Sequence, residues 1–398
     1  MENPVTQTLL DLDTLSADPL DRTGFDIGWD HARHALVPPA ELMLDGTPVS
    51  QGWRAARAVF GRRTVAASRN VRQWLALRLQ AWREGVAFDD LQVTPHYLGQ
   101  LETRHCPVTR APLGGALRGP DSPVVARLNA AAGYAAGNLL VLSRRAARAL
   151  QACSSADQAR ERAERLARLP AGRAVDACDA ALDAALDAEQ WARLATLMSL
   201  AQPLPQVQAV RLPLRALPPN RVRVLNAAQG LQALLTLRLH AAGWSRRARA
   251  IAELLPRPEL RHDFNLFVGA LAVPLMSIAD GLPPRELRWA QEDAWADGRV
   301  QRRWAQFAVQ LSAAECEAWL RQLVDRGLAG VRVLVHEPEA ADAGAGEAPA
   351  NPQAQRAATA WPARRPAKGQ RPAGLPAERP TDGRPPLNSS AIISPSAS

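Results

Sequence analysis

Residues 96–150, HYLGQLETRHCPVTRAPLGGALRGPDSPVVARLNAAAGYAAGNLLVLSRRAARAL, carry the most specific pattern in this 398-residue chain. A compact turn, Cys106-Pro107-Val108-Thr109, precedes a Gly/Pro-rich loop. The apolar run Pro123–Leu128 follows, then the turn Gly133-Tyr134, the pair Gly137-Asn138 and the strand-like Leu139–Leu142. Ser143 comes next, a residue type whose hydroxyl satisfies a free amide in the first turn of a helix. The predicted order is strand, turn, strand, helix.

These residues resemble the HNH, or ββα-metal, nuclease core in the variant that reads Cys-Pro-x-Thr, Ser-x-x-Asp-Arg-x-Asn, Gly-Tyr-x-x-Gly-Asn and a helix ending Arg-Ala-Asn-x-x-Lys. Cys106-Pro107-Val108-Thr109, Arg127, Asn129, Gly133-Tyr134, Gly137-Asn138, Ser143, Arg145, Ala146 and Arg148 stand in matching places. The resemblance is confined to residues 96–150. It implies a divalent metal held between a strand-end Asp and a polar helix residue, with a base activating water against a phosphodiester. Three polar places depart from the pattern: Ala126 stands for the Asp, Ala147 for the helix Asn and Leu150 for the Lys. An alanine side chain offers no ligand atom to a hard cation. The resemblance therefore implies a framework without its metal chemistry, and no cofactor is expected; a divalent metal enters only if the module is active. His96 and His105 flank the core where some members place a metal or base histidine, and His105, beside Cys106, is the catalytic candidate in that case. Arg127 stands where active members carry the base; a guanidinium stays protonated and suits a phosphate contact. Asn138 is placed to bridge the loop to the following strand.

Charge divides the chain before this stretch. Residues 1–52 hold nine acidic and two basic side chains, with Pro38-Pro39 and Gly46 as breakers, and read as an acidic, loop-rich arm with one short helix near Pro39–Leu44. Residues 53–95 read as a basic helical segment, since Trp53–Arg83 contains eight arginines and no carboxylate. Val71, Leu75, Leu79 and Trp82 recur at spacings of three and four, one face of a helix. Arg54, Arg57, Arg62, Arg63, Arg69 and Arg72, with Arg144, Arg145 and Arg148 after the second strand, are the candidate nucleic-acid contacts, because guanidinium forks bond phosphate oxygens in pairs. Internal pairing with the carboxylates of the arm is the alternative. His31 and His34 share a helical face, but no third metal ligand accompanies them, and they read as a partly buried or capping pair.

After Leu150 helical periodicity dominates. Residues 151–202 are a helical extension, with charge pairs along Ala156–Leu169 and an apolar stripe of Leu182, Leu186, Leu194, Leu197 and Met198 along Ala177–Ala201. Residues 203–220 are a Pro-rich connector containing the β-like Val207–Leu212. Residues 221–336 form a helical domain, with helices expected at Val222–Ala242, Ser245–Leu255, Asp263–Asp280, Pro284–Asp297 and Ser312–Arg326 and a short strand at Val331–His336. Pro274 should kink or break the third of these. Trp244, Trp289, Trp295, Trp304 and Trp319 fall at irregular spacing and read as core and rim aromatics rather than as a base-stacking platform. Residues 337–398, rich in Ala, Pro and Arg, hold too few large apolar side chains to offset chain entropy and are expected to be disordered.

Composition narrows the function classes. The net charge is +9, but residues 351–398 carry seven basic and two acidic side chains, so much of the excess lies in that tail. The cysteines, Cys106, Cys153, Cys178 and Cys316, lack paired spacing, which argues against a zinc knuckle or disulfide framework and for reduced, intracellular thiols. The acidic N-terminus lacks the features of a secretory leader, and a cytoplasmic protein is expected. The apolar run Phe264–Ala279 is interrupted by polar residues and is shorter than the roughly 20 residues of a membrane span, so no membrane is expected. Lys368 is the sole lysine and sits in no phosphate-binding loop, which excludes a P-loop ATPase. The sequence thus predicts a mainly α protein with a small embedded ββα, HNH-like module and a disordered C-terminal tail. DNA or RNA is the expected partner and protein partners are undefined. The expected function is that of a nucleic-acid-binding protein with a degenerate, inactive HNH endonuclease-like module. A helical scaffold without nucleic-acid binding and an active metal-dependent endonuclease are the alternatives.

Overall fold

Helices make up most of the chain in this computed structural model, which describes residues 19–114, 119–169, 186–240 and 242–328. The arm expected to be loop-rich contains α1 (Pro19–Arg33), and its packing explains the difference. Gly24, Gly28 and Ala32 recur every four residues on the side that meets α2 (Pro48–Phe60). A methyl group at Gly28 would overlap the Val49 carbonyl and lie 2.8 Å from the Trp53 amide nitrogen; one at Gly52 would overlap the Phe25 carbonyl. Each glycine lowers intrinsic helix propensity by about 1 kcal/mol, which makes the segment look like a loop, yet here the missing side chains are the contact surface. Between these helices a single 3₁₀ turn, Ala40–Leu42, occupies the place of the expected short helix.

The basic segment is two helices, α2 and α3 (Arg69–Glu84), each started by a side-chain cap, Thr47 and Ser68. Leu75 and Leu79 are buried, as the stripe requires. A short α4 (Pro95–Leu101) leads to the Cys106 turn. Strands β1 (Pro123–Arg127) and β2 (Leu139–Ser143) pair antiparallel, with Ala126 opposite Leu140 and Val125 opposite Val141. The Ser143 hydroxyl accepts the Ala146 amide and starts α5 (Arg144–Gln151).

Every residue of β2 is buried because the hairpin is covered on both faces. Ala126, Leu128, Leu140 and Leu142 join the main core, which continues through the C-terminal helices; Val125, Leu139 and Val141 join a second cluster with Leu77, Val93, Tyr97 and Leu98. Successive strand side chains point to opposite faces, so burial on both sides produces a continuous apolar run instead of alternation.

The remaining helices are α6 (Ala156–Arg168), α7 (Ala188–Leu200), α8 (Ala227–His240), α9 (Trp244–Glu253), α10 (Arg261–Met276), α11 (Pro284–Asp293), α12 (Gly298–Ala308) and α13 (Ala313–Asp325). Helix α12 is not among the helices expected from the sequence. The β-like stretch of the connector instead contains a one-turn helix, Gln206–Ala209, entered from Pro205 in extended backbone at φ −55°. Pro274 lies in the last turn of α10, which runs on to Met276 and stops. Phe264, Phe267, Trp295, Trp304, Phe307 and Trp319 interlock largely edge to face in the core. Val331–His336 and the tail 337–398 lie outside the described residues, as does the first part of the helix expected at Ala177–Ala201. No helix among the described residues is long and apolar enough to cross a membrane.

Candidate functional site

The hairpin, the end of α3 and the ends of α5 and α7 enclose a cleft of about 90 Å³. Its polar wall is built on Arg127. This side chain donates to the carbonyls of Ala130 and Ala132, both at 3.1 Å, reaches Glu84 at 3.4 Å and lies over the Tyr134 ring at 4.7 Å. The Tyr134 hydroxyl donates to the same Glu84 oxygen at 3.2 Å. Ala126, Leu150 and Met198 supply the apolar part of the lining. Ala147 is buried in the same core. The volume is far below the roughly 300–1,000 Å³ of small-molecule pockets, and Arg127 spends its donors on the turn after β1. Among the described residues no group of three His, Cys, Asp or Glu side chains is placed to hold a metal.

Asn138 is equally committed. Its carbonyl oxygen accepts the Asn129 amide at 2.8 Å, and its amide nitrogen donates to the carbonyls of Asn129 and Gly133, both at 3.0 Å. It ties the 129–133 loop to the start of β2. Gly137 beside it adopts φ 92°, a left-handed conformation that a side chain would strain, and its carbonyl accepts the Arg223 amide at 2.9 Å.

His105 does not line this cleft. It packs edge-on against Trp289 of α11, with Arg285 Nη1 3.1 Å from its Nε2. Burial, then the charges of Arg285 and Arg104, holds its imidazole below the ordinary histidine pKa. The structure thus places His105 against α11 and Arg127 in the wall of the cleft. Cys106 is fully buried. Beside this turn Arg110, at φ 59°, reaches α11: it donates to both oxygens of Asp293 at 2.7 and 2.8 Å, to Glu292 at 3.2 Å and to the Trp289 carbonyl at 3.2 Å. Glu292, 3% exposed, also accepts the Leu217 amide at 3.0 Å and faces Arg288 at 3.3 Å. The sequence does not mark Arg110, Glu84 or Glu292, since no local signal identifies residues that meet across such separations.

The arginines of the basic segment fall into two groups. Arg54 pairs with Asp45, Arg78 with Asp30 and Asp90, and Arg83 with Glu41, so part of the basic content meets carboxylates, most of them in the acidic arm. Arg69 stands 4.0 Å from Glu102. Arg57, Arg62, Arg63 and Arg72 are exposed and make no ion pair among the described residues. On α5, Arg144 bonds the Ser122 hydroxyl at 2.9 Å and Arg145 faces Asp121 at 2.9 Å, fastening the loop before β1; Arg148 is exposed. His31 is buried and bonds the Ile27 carbonyl at 2.7 Å.

The two tyrosines provide a direct readout of these contacts. Burial, followed by the Glu84 carboxylate, pushes the Tyr134 phenol up to about 12, and burial raises Tyr97. Alkaline titration followed by tyrosinate absorbance should show little ionisation at a pH of about 10, where free tyrosine is half ionised. Glu84→Gln should lower the Tyr134 midpoint. A native titration centred near the free value would show that Tyr134 is solvated. Because the folded state holds these protons more tightly, stability falls as pH rises above about 10.

No protein family profile, no curated protein and no solved structure matches this chain.

Proposed function

We propose that the protein binds nucleic acid through phosphate contacts and that its ββα unit is a nuclease-like module without catalytic chemistry. The observation that carries the binding reading is the exposed set Arg57, Arg62, Arg63 and Arg72 at the junction of α2 and α3, which no described carboxylate neutralises. The silent module is supported by Ala126, Ala147 and Leu150, whose side chains sit in the apolar core at the places where the resemblance calls for polar groups. A helical scaffold is the second reading, favoured by the pairing of Arg54, Arg78 and Arg83 with carboxylates.

Fluorescence anisotropy of a labelled duplex at two salt concentrations tests both. Binding should weaken steeply with salt, and Arg62→Ala/Arg63→Ala/Arg72→Ala should lower the slope of log K against log salt by roughly 0.9 for each phosphate no longer neutralised, with little sequence preference. Negligible binding by the wild type at low salt would leave the scaffold reading. The same mixtures with Mg²⁺ or Mn²⁺ should contain intact DNA; nicking abolished by His105→Ala would overturn the silent-module reading.

A further inference from the structure

The end of α4 and the turn after it gather exposed cations from three distant parts of the chain. Asn220 donates to the Gln100 carbonyl at 2.7 Å, which seats the Pro218–Arg221 turn against α4. Arg288 of α11 donates to the carbonyls of Leu217 at 2.7 Å and Pro218 at 3.0 Å, holding α11 against the same turn. Arg285, one helical turn earlier, contacts His105, and the charge of Arg104 also acts on that ring. Arg104, Arg221 and Arg285 are thus brought to one region, all exposed, and Arg69 extends it through Glu102.

From this arrangement we propose that Arg104, Arg221 and Arg285 form a second phosphate-binding face for a nucleic-acid strand. It rests on the nucleic-acid reading above and adds a surface that no single segment contains. Carboxylates near it among the described residues include Glu102, 47% exposed, Glu286, 41% exposed and 3.1 Å from Arg285, and Asp293, 51% exposed and held by Arg110. Exposed pairs of this kind are weak, so a phosphate displaces them readily. The backbone at Arg221 is a second, independent feature. It holds φ 65°, a conformation that L side chains adopt only at a cost. Asn220, the residue type that tolerates it better, is used instead to grip Gln100. The side chain at this position is an exposed guanidinium that makes no ion pair among the described residues. Arg110 and Arg285 lie over the Trp289 ring at 5.5 and 5.7 Å, so a base would have to displace a guanidinium to stack there. Contacts here are to the backbone and carry no sequence information.

The test uses the full chain, a fluorescein-labelled DNA duplex of mixed sequence and Arg104→Ser/Arg221→Gly/Arg285→Ser. Glycine suits the left-handed backbone at position 221, which gains conformational ease while losing charge. Affinity at low salt should fall on the order of tenfold to a hundredfold and the salt slope by roughly 2 to 3, with the thermal midpoint held. The control Arg246→Ser/Arg249→Ser/Arg299→Ser removes the same charge from exposed positions on α9 and α12 and should bind like the wild type. An equal drop in both variants would mean diffuse attraction to net charge and overturn the face. Unchanged binding by the first variant would overturn the face while leaving nucleic-acid binding intact; no binding by the wild type would overturn both. Displacement of the duplex by poly-glutamate as effective as by unlabelled duplex would assign the face to an acidic protein and also overturn it.

Discussion

Arg110→Ala should lower the unfolding free energy by about 3 kcal/mol, the lower end of the range for removing one partner of a buried ion pair. The cost sits at the lower end because Glu292 keeps Arg288 at 3.3 Å and the Leu217 amide at 3.0 Å. What disappears is the anchor that joins the Cys106 turn to α11. The counterpart, Glu292→Gln, should cost within about 1 kcal/mol, since glutamine retains an acceptor for Leu217 and Arg110 retains both oxygens of Asp293. Burial already pushes the Glu292 carboxyl above the usual range. The folded state therefore binds that proton more tightly than the unfolded chain, and the contribution of Glu292 to stability declines as pH rises above about 4.3. Urea unfolding of both variants across pH checks the asymmetry: Glu292→Gln should flatten that decline. Equal costs for the two substitutions would show that the charge of Glu292, rather than the reach of Arg110, holds the contact.

Gly28→Ala should destabilise the α1–α2 pair by about 2 kcal/mol or more, and Gly52→Ala likewise. Two effects oppose each other. Alanine gains about 1 kcal/mol of helix propensity over glycine, while overpacking a tight contact costs about 1–3 kcal/mol and occasionally more. Overlap wins here because the obstructing atoms are backbone atoms of the facing helix, Val49 and Trp53 for Gly28 and Phe25 for Gly52, and no rotamer change removes them. The double substitution should cost less than the two singles together, since one separation of the helices relieves both overlaps. Gly269→Ala supplies the contrast: its Cβ would meet open space on α10, so propensity acts alone and stability should rise by about 0.5–1 kcal/mol. Thermal unfolding of the four variants decides it, and a stabilising Gly28→Ala would mean that the helices do not touch at this crossing.

Local chemistry made much of the fold legible. The Ser143 cap, the Gly137-Asn138 pair and the Leu139–Leu142 run fix β2 and α5 without reference to distant residues, and the stripe through Leu75 and Leu79 fixes α3. Asn138 was readable as a bridge because a short amide side chain in a loop bonds nearby backbone groups. Helix α1 was not, because glycine at a spacing of four weakens the local signal and becomes favourable only when a second helix covers it. Helix α12 escapes notice because its Arg-rich sequence shows few apolar positions; Val300, Trp304 and Phe307 nevertheless supply its buried face.

The candidate site divides on the same line. Residue identity alone determined that positions 126, 147 and 150 offer no side-chain metal ligand, since that follows from side-chain chemistry whatever the fold. Which arginines remain available was decided only by tertiary structure. Arg54, Arg78 and Arg83 meet carboxylates, Arg110 and Arg127 are held by partners, and Arg62, Arg63 and Arg72 stay exposed. The physical reason is that a guanidinium's role is set by what lies within hydrogen-bond reach of it, and for Arg110 that partner is on α11, far along the chain.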